Sequence, residues 1–148
     1  GFHTSMIEAS MTVNDGMPEW VASRVARILN RDGKAVRGSK VLVLGVAYKQ
    51  DIDDYRESPA LRVIERIEAR GAEVSYFDPW VPRYRYKDEE KSSIPQLSAE
   101  AIASADVVLV ACAHTNVDYG LVQRHAKAVL DTKNAMKGIS PRDNIEVL

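Results

Sequence analysis

The chain has 148 residues, 45% of them hydrophobic and 28% charged, with a formal net charge of -1. That is enough for one domain with a buried core, and the balanced charge gives no global field to draw nucleic acid or an anionic membrane. One cysteine, Cys112, excludes an internal disulfide and fits a reducing, cytoplasmic setting, and no apolar run approaches the ~18 residues of a membrane span.

The chain opens Gly1-Phe2-His3-Thr4, with no initiator methionine and no visible signal peptide, so a piece of a longer protein is expected. Residues 4–31 carry Ile7 and Met11, then Val21, Val25, Ile28 and Leu29, at helical spacing. Asn14-Asp15-Gly16-Met17-Pro18 interrupts them, leaving one helix or two. Pro18 fits a first turn behind an Asp15 cap, or a kink in a longer helix. The polar, glycine-punctuated stretch 30–40 then acts as a linker, which divides the chain into an arm over 1–37 and a domain over 38–148. The arm's apolar residues, among them Met6, Met11, Trp20 and Val25, are expected to be covered by a second copy of the chain, making a homodimer. The alternative is that the arm folds back on its own sheet.

From Lys40 the pattern alternates strand and helix. The run VLVLGV (41–46) reads as a strand buried on both faces. Ser58-Pro59 reads as a helix start, with Leu61, Ile64 and Ile67 on one face and Gly71 ending it. EVSYFD (73–78) is a second strand, and residues 79–97, with Pro79, Pro82 and Pro95, read as a loop. Ser98 can cap a short helix through Ser104. DVVLVA (106–111) is a third strand, Asp118 can cap a helix to about His125, and AVLD (128–131) and NIEVL (144–148) are short strands. Apolar strands alternating with helices imply an α/β fold, a Rossmann-like parallel sheet with helices on both faces, behind a long N-terminal helix. Ligands of such sheets lie beyond the carboxyl ends of the strands.

The first of those ends holds an unusual loop. A nucleotide-type strand would continue into a glycine-rich turn, but here Gly45 stands alone, followed by Tyr48, Lys49, four acids and Arg56. Lys49 at the strand end can reach an anionic oxygen, and Arg56 lies close to the helix start at Ser58. From Lys49 to Glu57 two cations face four acids, so a simple cationic cradle is not expected from this stretch alone. The acids either turn away to local donors or orient the two cations. A solvated charged loop and a magnesium site on Asp51, Asp53 and Asp54 are the competing readings. Cys112 reads as a buried small hydrophobe, and His114 as a surface or structural histidine within reach of the ligand mouth. Tyr84-Arg85-Tyr86-Lys87, followed by three acids, reads as a solvated loop rather than a nucleic-acid contact.

The stretch GVAYKQDIDDYRESPA resembles the opening of the C-terminal domain of the UDP-glucose/GDP-mannose dehydrogenases. GAEVSYFDPWVP (71–82), ADVVLVACAHTNVDY (105–119) and VLDTKNAMKG (129–138) resemble the same domain in the same order, and residues 2–21 resemble its connecting helix, most like the branch acting on UDP-N-acetylhexosamines. The resemblance implies that NAD is bound by a separate N-terminal domain, while this fold receives the uridine nucleotide of a UDP-sugar. It implies contacts from Tyr48 and Lys49 to the substrate, and a reach by Arg56 to NAD across the interdomain cleft. Lys133 stands in a DTKN segment where relatives often carry an arginine in a DGRN-like one, so a substrate contact there would lack the guanidinium fork. The family oxidises a sugar C6 alcohol to a uronic acid, as in surface polysaccharide synthesis, through a cysteine in a GGxC-type segment. That segment does not occur here, and no catalytic residue is expected within the chain. A non-catalytic nucleotide-binding or regulatory module and a magnesium-dependent receiver-like switch are the rival functions.

Overall fold

Eleven elements follow in chain order: α1 (Phe2–Arg31), β1 (Lys40–Leu44), α2 (Pro59–Ala69), β2 (Glu73–Phe77), β3 (Arg83–Tyr86), β4 (Glu89–Ser92), α3 (Ala99–Ser104), β5 (Val107–Val110), α4 (Tyr119–His125), β6 (Val129–Asp131) and β7 (Ile145–Val147). The structure is a computed structural model that describes the backbone of residues 2–148 and the side chains from Met17 onward. Five strands form a sheet in the order β2-β1-β5-β6-β7, every pair parallel. The chain leaves β1 for β2 on one side and later returns to its other side as β5. The order therefore reverses at β1, and the switch point opens at the carboxyl ends of β1 and β5.

Both faces of the sheet are covered, which is why its strands read as unbroken apolar runs. Val41 and Val43 of β1, with Val107 and Leu109 of β5, join α1 and α2 in one buried cluster. Leu42 and Leu44, with Val108 and Val110, join Ile102 of α3, Val122 of α4 and Met136 in the other. The predicted caps hold. The Ser58 hydroxyl accepts from the Ala60 amide with Pro59 in the first turn, Ser98 accepts from Ala101, and Asp118 from Leu121. Gly71 ends α2 with φ +97°, and a β-carbon there would meet Arg37 at 3.1 Å.

Two expectations change. The arm is a single helix with Pro18 inside it, and from Val21 onward it belongs to the core. Val21, Ala22, Val25, Ile28 and Leu29 are all buried against the sheet and α2. Ion pairs clamp it on both sides: Glu19 meets Arg66 and Arg70 of α2, while Arg24 and Arg31 both meet Glu146 of β7 at 2.7 Å. The described half of the arm thus takes the fold-back alternative, and of its large apolar residues Trp20 is the one left exposed. Met6, Ile7, Met11 and the Asp15 cap lie outside the residues whose side chains are described.

The second change is the stretch read as a loop, 79–97, which contains the antiparallel hairpin β3–β4. Its two-residue turn, Lys87-Asp88, has positive φ at both positions (48° and 66°), the geometry usually signalled by Asn-Gly. Lysine and aspartate do not announce it. Tyr84 is buried rather than solvated, its ring 5.2 Å from Tyr76 and 5.9 Å from Tyr55.

Candidate functional site

A cleft of about 1120 Å³ opens at the switch point. Its walls come from the start of the described part of α1, the loop after β1, the first turn of α2, β3 and the turn after β6. Tyr48, Lys49, Arg56 and Lys133, the four residues singled out in the sequence, all line it. The volume lies just above the ~300–1,000 Å³ usual for small-molecule sites.

Four residues fix the β1 loop, two of them with fully buried side chains. Asp78, at the end of β2, has a fully buried side chain. One of its oxygens accepts from the Val46 and Ala47 amides at 2.8 and 3.2 Å, and the other from Trp80 and Val81 at 2.8 and 3.1 Å. It therefore fixes the exit from β1 and the turn after β2 together. His114, also fully buried, lies 2.9 Å from the same carboxylate through Nε2. Its Nδ1 accepts from the Asp51 amide at 2.8 Å. The Asp51 carboxylate then accepts from the Thr115 amide and hydroxyl at 2.9 and 2.8 Å. Tyr48 and Lys49 thus sit on a short span tied at residues 46–47 by Asp78 and at residue 51 by His114. Asp51 and Glu57 hold positive φ, 61° and 63°, conformations that cost ~1–3 kcal/mol and persist where surroundings impose them.

Charges follow from this network. Burial raises the Asp78 pKa, but the His114 bond and the Val46 and Trp80 amides outweigh it and hold the carboxyl below its ordinary value. The Thr115 amide and hydroxyl likewise lower Asp51. For His114, burial disfavours the imidazolium, yet Asp78 and the nearby Cys112 thiol push its pKa up to about 9. Against that push stands the Asp51 amide, which donates into Nδ1, so a proton taken up there costs that bond. With Nδ1 accepting, the geometry holds the ring as the neutral Nε2–H tautomer, which donates to Asp78.

The acids do both things the sequence left open. Asp51 turns away to Thr115, while Asp54 orients Arg56, accepting from its amide at 3.0 Å and from its guanidinium at 3.2 and 3.3 Å. Asp54 is lowered by the Arg56 side chain and then by its amide. With Asp51 and Asp54 turned to different partners, the three aspartates do not converge, and no group of three potential metal ligands forms among the described residues. Cys112 is buried, as expected, two residues past the end of β5. His114 is structural, not superficial.

The α2 N-terminus is less open than it reads in sequence. Pro59 has no N–H, the Ala60 amide goes to the Ser58 hydroxyl, and the Leu61 amide goes to the Ser58 carbonyl at 3.2 Å. Across the cleft, Asp131 is buried and holds its own turn, accepting from the amides of Lys133, Ala135 and Met136 at 3.1, 3.1 and 2.8 Å. That fixes the backbone of Lys133. Sequence reasoning singled out neither Asp78 nor Asp131. An aspartate closing an apolar strand and followed by turn residues was the available signal.

Residues 42–138 match the UDP binding domain of the UDP-glucose/GDP-mannose dehydrogenase family. The chain belongs to that family. It is similar to the UDP-N-acetyl-D-mannosamine dehydrogenase of Methanocaldococcus jannaschii, 29% identical across 90% of this chain and 30% of that relative. It is also similar to the UDP-glucose 6-dehydrogenase AglM of Haloferax volcanii, 34% identical across 75% of this chain and 25% of that one. The solved UDP-D-ManNAc dehydrogenase of Pyrococcus horikoshii superposes with a TM-score of 0.75 at 25% identity, over 92% of this chain and 31% of that one. For the UDP-N-acetyl-mannosamine dehydrogenase Cap5O of Staphylococcus aureus the TM-score is 0.70 at 28% identity, over 99% and 32%. The chain spans about a third of the length of these relatives. No described helix is long and apolar enough to cross a membrane.

Proposed function

We propose that this chain is the substrate-nucleotide domain of an NAD-dependent dehydrogenase that oxidises the C6 alcohol of a UDP-sugar to a UDP-uronic acid. The cleft is the observation that carries the reading: it gathers Tyr48 and Lys49 from the loop after β1 and Lys133 from the turn after β6. Lys49 and Lys133 would meet the anionic part of the nucleotide, and Tyr48, half of it exposed, would offer its ring and hydroxyl.

NAD does not fit the turn after β1 of this chain. A dinucleotide-binding turn offers its backbone amides to the pyrophosphate, but here the Val46 and Ala47 amides are taken by Asp78, and a β-carbon on Gly45 would lie 2.5 Å from Cys112. The cofactor's own site is therefore assigned to a separate N-terminal domain. Arg56, exposed at the rim and braced by Asp54, would reach toward it.

The residues divide in this reading into a connecting arm over 1–37 and a nucleotide domain over 38–148, with the arm's second half built into the domain's core. Homodimerisation through α1 is part of the same proposal, supported among the described residues by exposed Trp20. Sedimentation equilibrium of the chain and of Trp20→Ser compares their association.

Titration calorimetry with UDP tests the binding reading. The chain binds UDP, and Lys49→Ala weakens it about ten- to a hundred-fold, the ~1.5–3 kcal/mol of a charge-assisted hydrogen bond. Equal affinities would make Lys49 a surface charge, and magnesium-dependent binding without preference for UDP would favour a receiver-like switch.

A further inference from the structure

The loop after β1 carries more acids than cations, yet the cleft it borders is strongly cationic. The cleft lining contains Lys49, Arg56, Arg62, Arg85, Lys87 and Lys133 against one carboxylate, Glu57. Asp51 leaves the lining by turning to Thr115, and Asp54 by lying behind Arg56. Three of the cations arrive from α2 and the hairpin, far from the signature loop in sequence.

Two of those three are unspent. Arg62 has a carboxylate at the right helical spacing, Glu65, three residues on. Glu65 is already engaged by Arg66 at 3.2 Å and by Lys87 at 3.0 Å. Arg85 stands directly across the hairpin from Glu90, but Glu90 pairs with Arg83 instead, at 3.8 Å. Each arginine thus sits beside an acid that is paired elsewhere, and neither makes an ion pair among the described residues. The position of Arg85 is set, not adrift: its neighbour Tyr84 is buried against Tyr55 and Tyr76, and its amide meets the Tyr55 hydroxyl at 3.5 Å. Tyr55 belongs to the Lys49 loop, so β3 and that loop form one packed wall. The first amides of α2 are already bonded, which leaves side chains to supply the positive charge.

We infer that Arg62 and Arg85 are diphosphate-binding residues of this cleft, supplied by α2 and β3 rather than by the loop that carries Lys49. The inference rests on the nucleotide reading above and deepens it. A guanidinium presents a planar fork of donors that matches two phosphate oxygens at once, and an arginine on each of two walls suits a linked pair of phosphates. Lys87, committed to Glu65, is left as a structural tie.

The test uses the full chain and four probes: UDP, UMP, uridine and inorganic pyrophosphate, titrated into the wild type, Arg62→Gln, Arg85→Gln, the double variant, and Lys137→Gln as a control for an exposed cation outside the cleft. Both arginines are at least partly exposed and hold no buried partner, so the variants keep the wild-type fold, which circular dichroism and a melting curve verify. Each single variant is expected to bind UDP and pyrophosphate three- to ten-fold more weakly. The double variant should be at least ten-fold weaker, with uridine unchanged and UMP intermediate. Lys137→Gln should match the wild type. Wild-type UDP affinity in the double variant would overturn the inference and leave the nucleotide reading standing. Arginine-dependent binding of pyrophosphate, with UDP no tighter than pyrophosphate, would uphold the two arginines and remove the uridine reading. A wild type that binds neither UDP nor pyrophosphate would overturn both.

Discussion

Two turns at the carboxyl edge of the sheet each present a lysine to the same cleft, and they are held in opposite ways. The turn after β6 is held chiefly from within: Asp131 caps three amides in the five residues that follow it, and Thr132 adds an anchor to the Val110 carbonyl of β5. The loop after β1 has bonds of its own, from the Tyr48 amide to the Asp54 carbonyl and from Arg56 to the Asp54 carboxylate. Its first half, however, is fastened from outside, at Val46 and Ala47 by Asp78 from β2 and at Asp51 by His114 and Thr115 beyond β5. The first geometry is set mostly by its own segment. The second exists only once three strands are side by side, so the placement of Lys49 is a tertiary property and that of Lys133 a local one.

Exchanging one carboxylate oxygen for an amide should separate the two most sharply. In Asp78→Asn, donors face both oxygen positions from two turns and from His114, so whichever way the amide lies, buried donors oppose it. A loss of ~3–5 kcal/mol in denaturant unfolding is expected. In Asp131→Asn the oxygen can stay with Lys133 and Ala135 and forfeit only Met136, a loss of ~1–2 kcal/mol. Equal losses would remove the distinction.

A smaller effect is expected from His114→Leu, about 2 kcal/mol, from the lost Asp51 and Asp78 bonds. Hydrogen exchange at the Asp51 and Thr115 amides should accelerate, while the Met136 amide is untouched. Protection unchanged at Asp51 would show that the histidine does not hold the loop. In the wild type, imidazole nitrogen shifts near neutral pH should show an unprotonated Nδ1.

Acidification should act on the tertiary anchor as well. Asp78 is held below the ordinary carboxylate value by His114 and backbone amides despite burial. Asp106 is lowered by the Lys34 bond, and Glu146 by Arg24 and Arg31 against its burial. Groups with a depressed folded pKa add stability that is present above their unfolded value and is lost as the pH falls through the folded one. Unfolding free energy should therefore drop by roughly 1 kcal/mol or more below about pH 4. A flat profile there would deny these carboxylates a net role. The smallest effect belongs to the local turn: Lys133→Arg should tighten UDP about two- to three-fold by restoring a donor fork, without changing stability.

Much of the fold was legible because its signals are local. Alternating apolar runs gave the five-stranded sheet, and Ser58, Ser98 and Asp118 gave the helix starts. The hairpin was not legible, since a Lys-Asp turn carries none of the usual residues for positive φ. The continuity of α1 through Pro18 was one of two alternatives that the sequence left open, because what holds its second half is burial against a sheet that comes later in the chain. Within the cleft, residues of the signature loop could be picked out by type and place. Arg62 and Arg85 could not, because their nearest acids in sequence are consumed by partners that only the fold brings near.

The carboxylate of Asp78 occupies the very amides that, in a dinucleotide-binding turn, would be offered to a phosphate. The turn after β1 is thus already loaded with an internal anion in the place of a phosphate, one that cannot dissociate. Replacing residues 46–50 with glycines would not recreate a cradle while that carboxylate stays. Gly45 is required for an unrelated reason, the closeness of Cys112 just past the neighbouring strand β5. An engineer seeking to move dinucleotide binding onto this half would have to evict Asp78 and His114 first, and would meet the cost in stability before any gain in affinity.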